Sequence, residues 1–146
     1  MRQNNFRILL LFVSLAALIL AGCGVQASTY EKIEPYTLIK GEDGINIVKI
    51  TEKAAERIQV NSTAVVEEQT ENGSRLVVPY GALIYDTSGR TWVYTNPELL
   101  TYIRQEVAVD FIEGDKVFLT EGPETGTAVA VTAVAELYGT DTGVGK

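Results

Sequence analysis

Arg75-Leu76-Val77-Val78-Pro79-Tyr80-Gly81-Ala82-Leu83-Ile84-Tyr85, closed by Asp86-Thr87-Ser88-Gly89 and resumed as Arg90-Thr91-Trp92-Val93-Tyr94-Thr95, sets the character of this chain. Branched aliphatic and aromatic side chains suit a pleated, half-buried surface. Pro79 and Gly81 interrupt the first run, which predicts a bend or bulge in mid-strand and an edge position. Asp86-Thr87-Ser88-Gly89 is turn chemistry, since an Asp side chain accepts from backbone amides just ahead of it. The second run alternates and places Trp92 and Tyr94 on one side.

The same grammar continues on both flanks. Asn96-Pro97 predicts a turn, Leu100–Phe111 a long strand, Glu113-Gly114-Asp115 a turn and Lys116–Thr120 another strand. Gly122-Pro123-Glu124-Thr125-Gly126 leads into strand-like Thr127–Ala133, and Val134–Tyr138 reads as a helical turn before a polar tail, 140–146. Upstream, Gln59–Glu67 is strand-like and Glu67–Ser74 a polar loop with Asn72-Gly73 as its tight turn. Thr51 can cap a short helix over Glu52–Ile58, with Ala54, Ala55 and Ile58 on one face. Ile45–Ile50 reads as a strand, and Gly41-Glu42-Asp43-Gly44 as a turn or break. The expected fold is mainly β, a small barrel or sandwich-like domain over 45–139 with one short helix.

The N-terminal residues read as an address. Met1–Arg7 carries Arg2 and Arg7 and no acid, and Ile8–Leu20 is apolar except for Ser14. This is the layout of a secretory signal peptide, and the run is shorter than the ~20 residues a membrane-spanning helix needs. Leu20-Ala21-Gly22-Cys23 resembles the bacterial lipobox. That resemblance implies cleavage after residue 22, a diacylglyceryl group on the Cys23 thiol and an acylated new amino terminus. Residues 23–44 are then expected to be the lipidated cysteine and a tether. The protein would sit on the extracytoplasmic face of a bacterial cell membrane or outer membrane, and Gly24 in place of Asp favours the outer membrane where there is one.

Composition narrows the chemistry. The chain has 146 residues, no His and one Cys, so no disulfide forms within it and no Ser-His-Asp or Cys-His machinery can be built. A zinc site of His and Cys ligands is excluded too. Removing residues 1–22 would leave 124 residues, and the loss of Arg2 and Arg7 takes the net charge from −7 to −9. Such acidity argues against nucleic acid and against attraction to anionic headgroups, so the lipid is expected to make the membrane contact. The glycines form no phosphate-binding motif and the acids no calcium loop, so no cofactor and no metal are expected.

Two Asp-led motifs need weighing. Asp86-Thr87-Ser88-Gly89 and Asp141-Thr142-Gly143 are similar to the Asp-Thr-Gly element of aspartic proteases, in which two carboxylates share a proton. The first reads better as a turn, and the second stands near the chain end without a buttressing strand after it. Asn61-Ser62-Thr63 and Asn72-Gly73-Ser74 match a glycosylation sequon, read as chance in a bacterial lipoprotein. Trp92, Tyr94 and Tyr102 are expected to be core or cross-strand pairs rather than a binding platform. No catalytic residue is expected.

Val77–Asp86 followed by Gly89–Tyr94 resembles the last portion of periplasmic adaptor proteins, the membrane fusion proteins of efflux pumps and related exporters. Arg104-Gln105-Glu106-Val107-Ala108-Val109, Gly114–Leu119 and Gly122–Val129 match the family's following motifs in order, and Thr51–Ile58 is similar to its barrel-leading helix. The resemblance spans roughly Ile45–Gly139. It implies a non-catalytic, lipid-anchored domain like the membrane-proximal or β-barrel part of an adaptor, binding a transporter or another envelope protein. The chain has no heptad run for the family's coiled-coil hairpin. An envelope module that binds a small ligand or a cell-wall component is the other reading.

Overall fold

A computed structural model describes residues 34–41 and 43–143. They belong to one compact unit, Glu34–Lys146, while the expected signal segment and the lipobox-like Leu20–Cys23 lie outside the described residues. The unit is mainly β, a curled half-barrel sheet with two helices. Its strands are β1 (Tyr36–Lys40), β2 (Asn46–Ile50), β3 (Ser62–Ala64), β4 (Val66–Thr70), β5 (Gly73–Pro79), β6 (Ile84–Tyr85), β7 (Thr91–Glu98), β8 (Thr101–Glu113), β9 (Lys116–Glu121) and β10 (Ala128–Ala130). Helix α1 is Glu52–Ile58 and α2 is Val134–Thr142. No helix among the described residues is long and apolar enough to cross a membrane.

The strands run in the order β3-β10-β7-β8-β9-β5-β4, with β2 on β8, β1 on β2 and β6 on β7. Every pairing is antiparallel. Strand β8 serves both halves of the sheet: Thr101–Val107 pairs with β7, and Ala108–Glu113 with β9. Its register shifts around Asp110. A bulge there turns the next side chain to the opposite face, so Val109 packs into one core while Phe111 stacks on Phe118 outside it, ring centroids 4.3 Å apart.

Both faces of β7 are covered. Val93 joins Val65, Val78, Val107, Val117, Leu119 and Val129 in the core on one face. Tyr94, one residue on, joins Val48, Ile50, Tyr102, Val134 and Leu137 beneath the helices on the other. Burial on both faces explains the uninterrupted Trp-Val-Tyr-Thr run, which a strand with one wet face would not carry.

Local chemistry explains most boundaries. Thr51 Oγ1 accepts from the Ala54 amide at 3.2 Å and caps α1 as its sequence predicts, a contact that stabilises such ends by about 1 kcal/mol. Asp86 Oδ1 accepts from the Ser88 and Arg90 amides at 2.8 and 3.0 Å, so Asp86–Gly89 is the expected turn. After Pro79 the chain forms a 3-10 turn, Tyr80–Ala82. There a Cβ on Gly81 would stand 2.8 Å from the Val131 carbonyl oxygen, so glycine is required by close approach of two backbones.

The structure corrects several expectations. Tyr36–Lys40 is not tether: it pairs along its whole length with Asn46–Ile50, and the Gly41 amide donates to the Ile45 carbonyl just beyond the last pair. The polar loop 67–74 is mostly strand, because Glu67–Thr70 pairs with Gly73–Leu76 and only residues 71–72 turn. Strand β5 is interior, flanked by β4 and β9, and Pro79 is tolerated because it is the last residue of the strand. Strand β7 runs through Asn96-Pro97 to Glu98, and the turn falls at Leu99-Leu100. The polar tail is shortened as well, since α2 continues through Thr142 and adds a second helix to the one expected.

Candidate functional site

Side-chain chemistry in the described residues converges where α2 crosses β2, β7 and β8. Val134, Leu137 and Asp141 are spaced to share one face of α2, and all three are buried. Tyr94 and Arg104 are direct cross-strand partners on β7 and β8, so both side chains rise from the sheet toward that helix. Tyr94 donates its hydroxyl to Asp141 Oδ2 at 2.8 Å. Asn46, the first residue of β2, donates through Nδ2 to Asp141 Oδ1 at 3.0 Å and to the Asp141 carbonyl at 2.8 Å. Arg104 Nε lies 3.4 Å from Asp141 Oδ2, close enough for charge attraction but without hydrogen-bond alignment.

Arg104 is also held by aromatic faces. Its guanidinium carbon sits 4.5 Å from the Trp92 ring centroid and 5.9 Å from that of Tyr138 on α2. Arg90 approaches the Trp92 ring at 5.0 Å and pairs with Asp86 through Nη2 at 2.8 Å. Trp92 donates its indole N–H to Asp86 Oδ2 at 3.1 Å. A planar guanidinium on an indole keeps its charge while covering apolar surface.

These surroundings bias the protonation states. Burial pushes the Tyr94 hydroxyl well above the ordinary tyrosine range, and its hydrogen bond to Asp141 adds to the shift. Burial also raises Tyr102. For Asp86, desolvation raises the pKa, but bonds from the Arg90 amide, the Trp92 indole and the Ser88 amide, with the Arg90 charge, outweigh it and hold the carboxyl below its usual value.

Asp86 and Asp141 are therefore not a proton-sharing dyad. Each carboxylate has its own partners: amides, indole and Arg90 donate to Asp86, while Tyr94 and Asn46 donate to Asp141 and the Arg104 charge lies beside it. Trp92, Tyr94 and Tyr102 are buried packing residues as expected. Asp141 falls in the stretch whose sequence predicts a solvated tail, and nothing in the sequence around Asn46 or Arg104 marks either as its partner. The i, i+3, i+7 spacing of Val134, Leu137 and Asp141, with Gly143 in the left-handed conformation just beyond, is a helix signature that would have exposed the first. Cys23, the expected lipidation site, lies outside the described residues.

A different surface faces outward from the sheet. Val66, Val77, Phe118 and Phe111 are successive register partners across β4, β5, β9 and β8, so their side chains form one transverse apolar row. Val77 and Phe118 are buried, whereas Val66 is 46% and Phe111 36% exposed. Ion pairs edge the row, Arg75 to Asp110 and Lys116 to Glu68, each at 2.7 Å.

No family model, curated protein or solved structure matches the chain.

Proposed function

We propose that this protein is a lipid-anchored envelope protein, an adaptor-like module of an efflux or export system that binds a transporter or another envelope partner without catalysing a reaction. The observation that carries the partner-binding role is the apolar row ending in half-exposed Phe111 and Val66, edged by ion pairs. Apolar patches rimmed by polar residues are what protein-binding surfaces present. The buried Asp141 cluster supports a non-catalytic reading, because its oxygens bind groups that fasten α2 to the sheet.

The anchor rests on Leu20–Cys23, and the position of β1 gives it reach. Only residues 24–35 separate Cys23 from Tyr36, a span of at most about 45 Å when fully extended. A domain so held stays close to the bilayer, where a transporter's exposed surface lies.

Two measurements test the proposal. Cys23→Ser should abolish palmitate incorporation and signal cleavage, and normal processing of that variant would refute the anchor. Purification of the lipidated chain from native membranes should recover a transporter subunit by mass spectrometry, with Phe111→Asp and Val66→Asp reducing its yield. Repeated recovery of none would refute the adaptor role.

A further inference from the structure

The connection between β7 and β8 is the two residues Leu99 and Leu100, and it presents the most exposed large apolar side chain among the described residues. Leu99 is 84% exposed. Leu100 adopts φ 59°, the left-handed region that β-branched and bulky residues avoid. The turn holds that conformation because it is braced. Asn96 Nδ2 donates to the Glu98 carbonyl at 2.7 Å and to the Thr101 carbonyl at 2.8 Å, and Leu100 packs its own side chain into the helix-covered core. A braced, strained turn displaying a bare leucine is an outlier that asks for a function.

Its position in the sheet suggests one. The Ile50 amide donates to the Leu100 carbonyl, and the Thr51 amide donates to the Pro35 carbonyl, each at 3.0 Å. Leu99, Thr51 and Pro35 therefore lie at the same end of β8, β2 and β1, with Leu99 and Pro35 about two strand spacings, ~10 Å, apart. Pro35 immediately precedes the strand at which the chain from Cys23 joins the sheet. The exposed leucine and the incoming tethered segment thus share one end of the sheet.

We infer that the Leu99 hairpin tip is a second membrane contact, dipping into the interfacial region of the bilayer to which Cys23 is anchored and so orienting the domain on it. The inference rests on the lipid-anchor reading above. An anchor at one chain end leaves a domain free to tumble; one apolar contact beside the point of attachment restricts it to a single pose. A lone leucine is too little to recruit a protein to a membrane but enough to orient one already held there. Glu34, Glu52 and Glu98 are exposed toward this end, against the exposed cations Lys53 and Lys49, the latter paired in register with Thr101. The contact is accordingly with zwitterionic rather than anionic headgroups.

The experiment uses the full lipidated chain carrying Leu99→Cys or Glu113→Cys, the latter exposed at the opposite end of β8. Cys23 is the sole native cysteine, and its thiol is blocked by the lipid, so a fluorophore attaches only at the introduced thiol. The proteins are reconstituted into phosphatidylcholine–phosphatidylethanolamine vesicles doped with a headgroup nitroxide lipid. Loss of emission at position 99, with position 113 bright, is the expected result, and phosphatidylglycerol should lessen the loss. Equal emission at the two positions on floating vesicles overturns the tip contact while leaving the anchor intact. Failure of the chain to float overturns the anchor and this inference with it. Shielding of position 99 from aqueous iodide in native membranes but not in protein-free vesicles assigns the tip to an envelope protein and overturns the bilayer contact.

Discussion

The Tyr94 hydroxyl donates to Asp141 Oδ2 across 2.8 Å and joins the middle of β7 to the last turn of α2. Asn46 and Arg104 reach the same carboxylate from β2 and β8, so one acid near the C-terminus fastens a helix to three strands. Asp141→Ala leaves a buried phenol and a largely covered guanidinium without their partner, and should cost about 3–5 kcal/mol. Tyr94→Phe removes one bond and should cost about 1–2 kcal/mol. Urea unfolding of both variants checks the order, and equal losses would mean that Asp141 acts only through Tyr94.

Tyr94 also makes stability depend on alkaline pH. Its folded pKa is raised from 10.0, first by burial and then by the bond to Asp141. A raised pKa favours the neutral phenol in the folded state. That contribution is fully present below the unfolded value near ~10 and is lost as pH rises from there toward the folded value. The unfolding midpoint should fall above that point in the parent chain and fall less in Tyr94→Phe. Parallel curves for the two proteins would refute the assignment.

Asp86 gives the opposite dependence at acid pH. Its hydrogen bonds hold its pKa below 3.8, so its contribution is present above that value and lost as pH falls through the folded one. Trp92, the single tryptophan, donates to this carboxylate and reports on it directly. Its emission should change as pH falls below ~3.8, and Asp86→Asn should flatten that titration.

Gln59 closes α1 in the left-handed conformation with φ 53°, its side chain exposed. Glycine adopts that conformation without a Cβ penalty. Gln59→Gly should therefore raise stability by about 0.5–1 kcal/mol, read as a higher urea midpoint. The Gln59 carbonyl, which accepts from Asn61 Nδ2 and Thr132 Oγ1, is untouched by the change.

Gly81 obeys a different constraint, since its added Cβ would meet the Val131 carbonyl oxygen at 2.8 Å. The neighbour is backbone and must move bodily. Gly81→Ala should cost about 1–3 kcal/mol, whereas Gly89→Ala meets no neighbouring atom and is strained only through its φ of 81°. Thermal unfolding of the pair separates close approach from backbone conformation.

Features written in adjacent residues could be read from the chain directly. The Thr51 cap and the Glu52–Ile58 helix, the Asp86 turn and the strands around Trp92 and Val117 depend on local hydrogen bonds and on period-two alternation, both carried by a few neighbouring positions. Strand β1 escaped because Leu38 and Ile39 are both half-exposed at a sheet edge, so no alternation marks it. The Asp110 bulge escaped because only pairing with β9 reveals that Phe111 has changed faces. Asp141 is polar and near the chain end, which by itself signals solvent. It is buried because Asn46, Tyr94 and Arg104, distant in sequence, supply the donors and charge that desolvation removes. Local chemistry in the sequence thus set the central strands, the Asp86 turn and the first helix, whereas long-range pairing decided the edge strand β1, the 67–70 strand, which charges are interior and which leucine stands exposed beside the incoming chain.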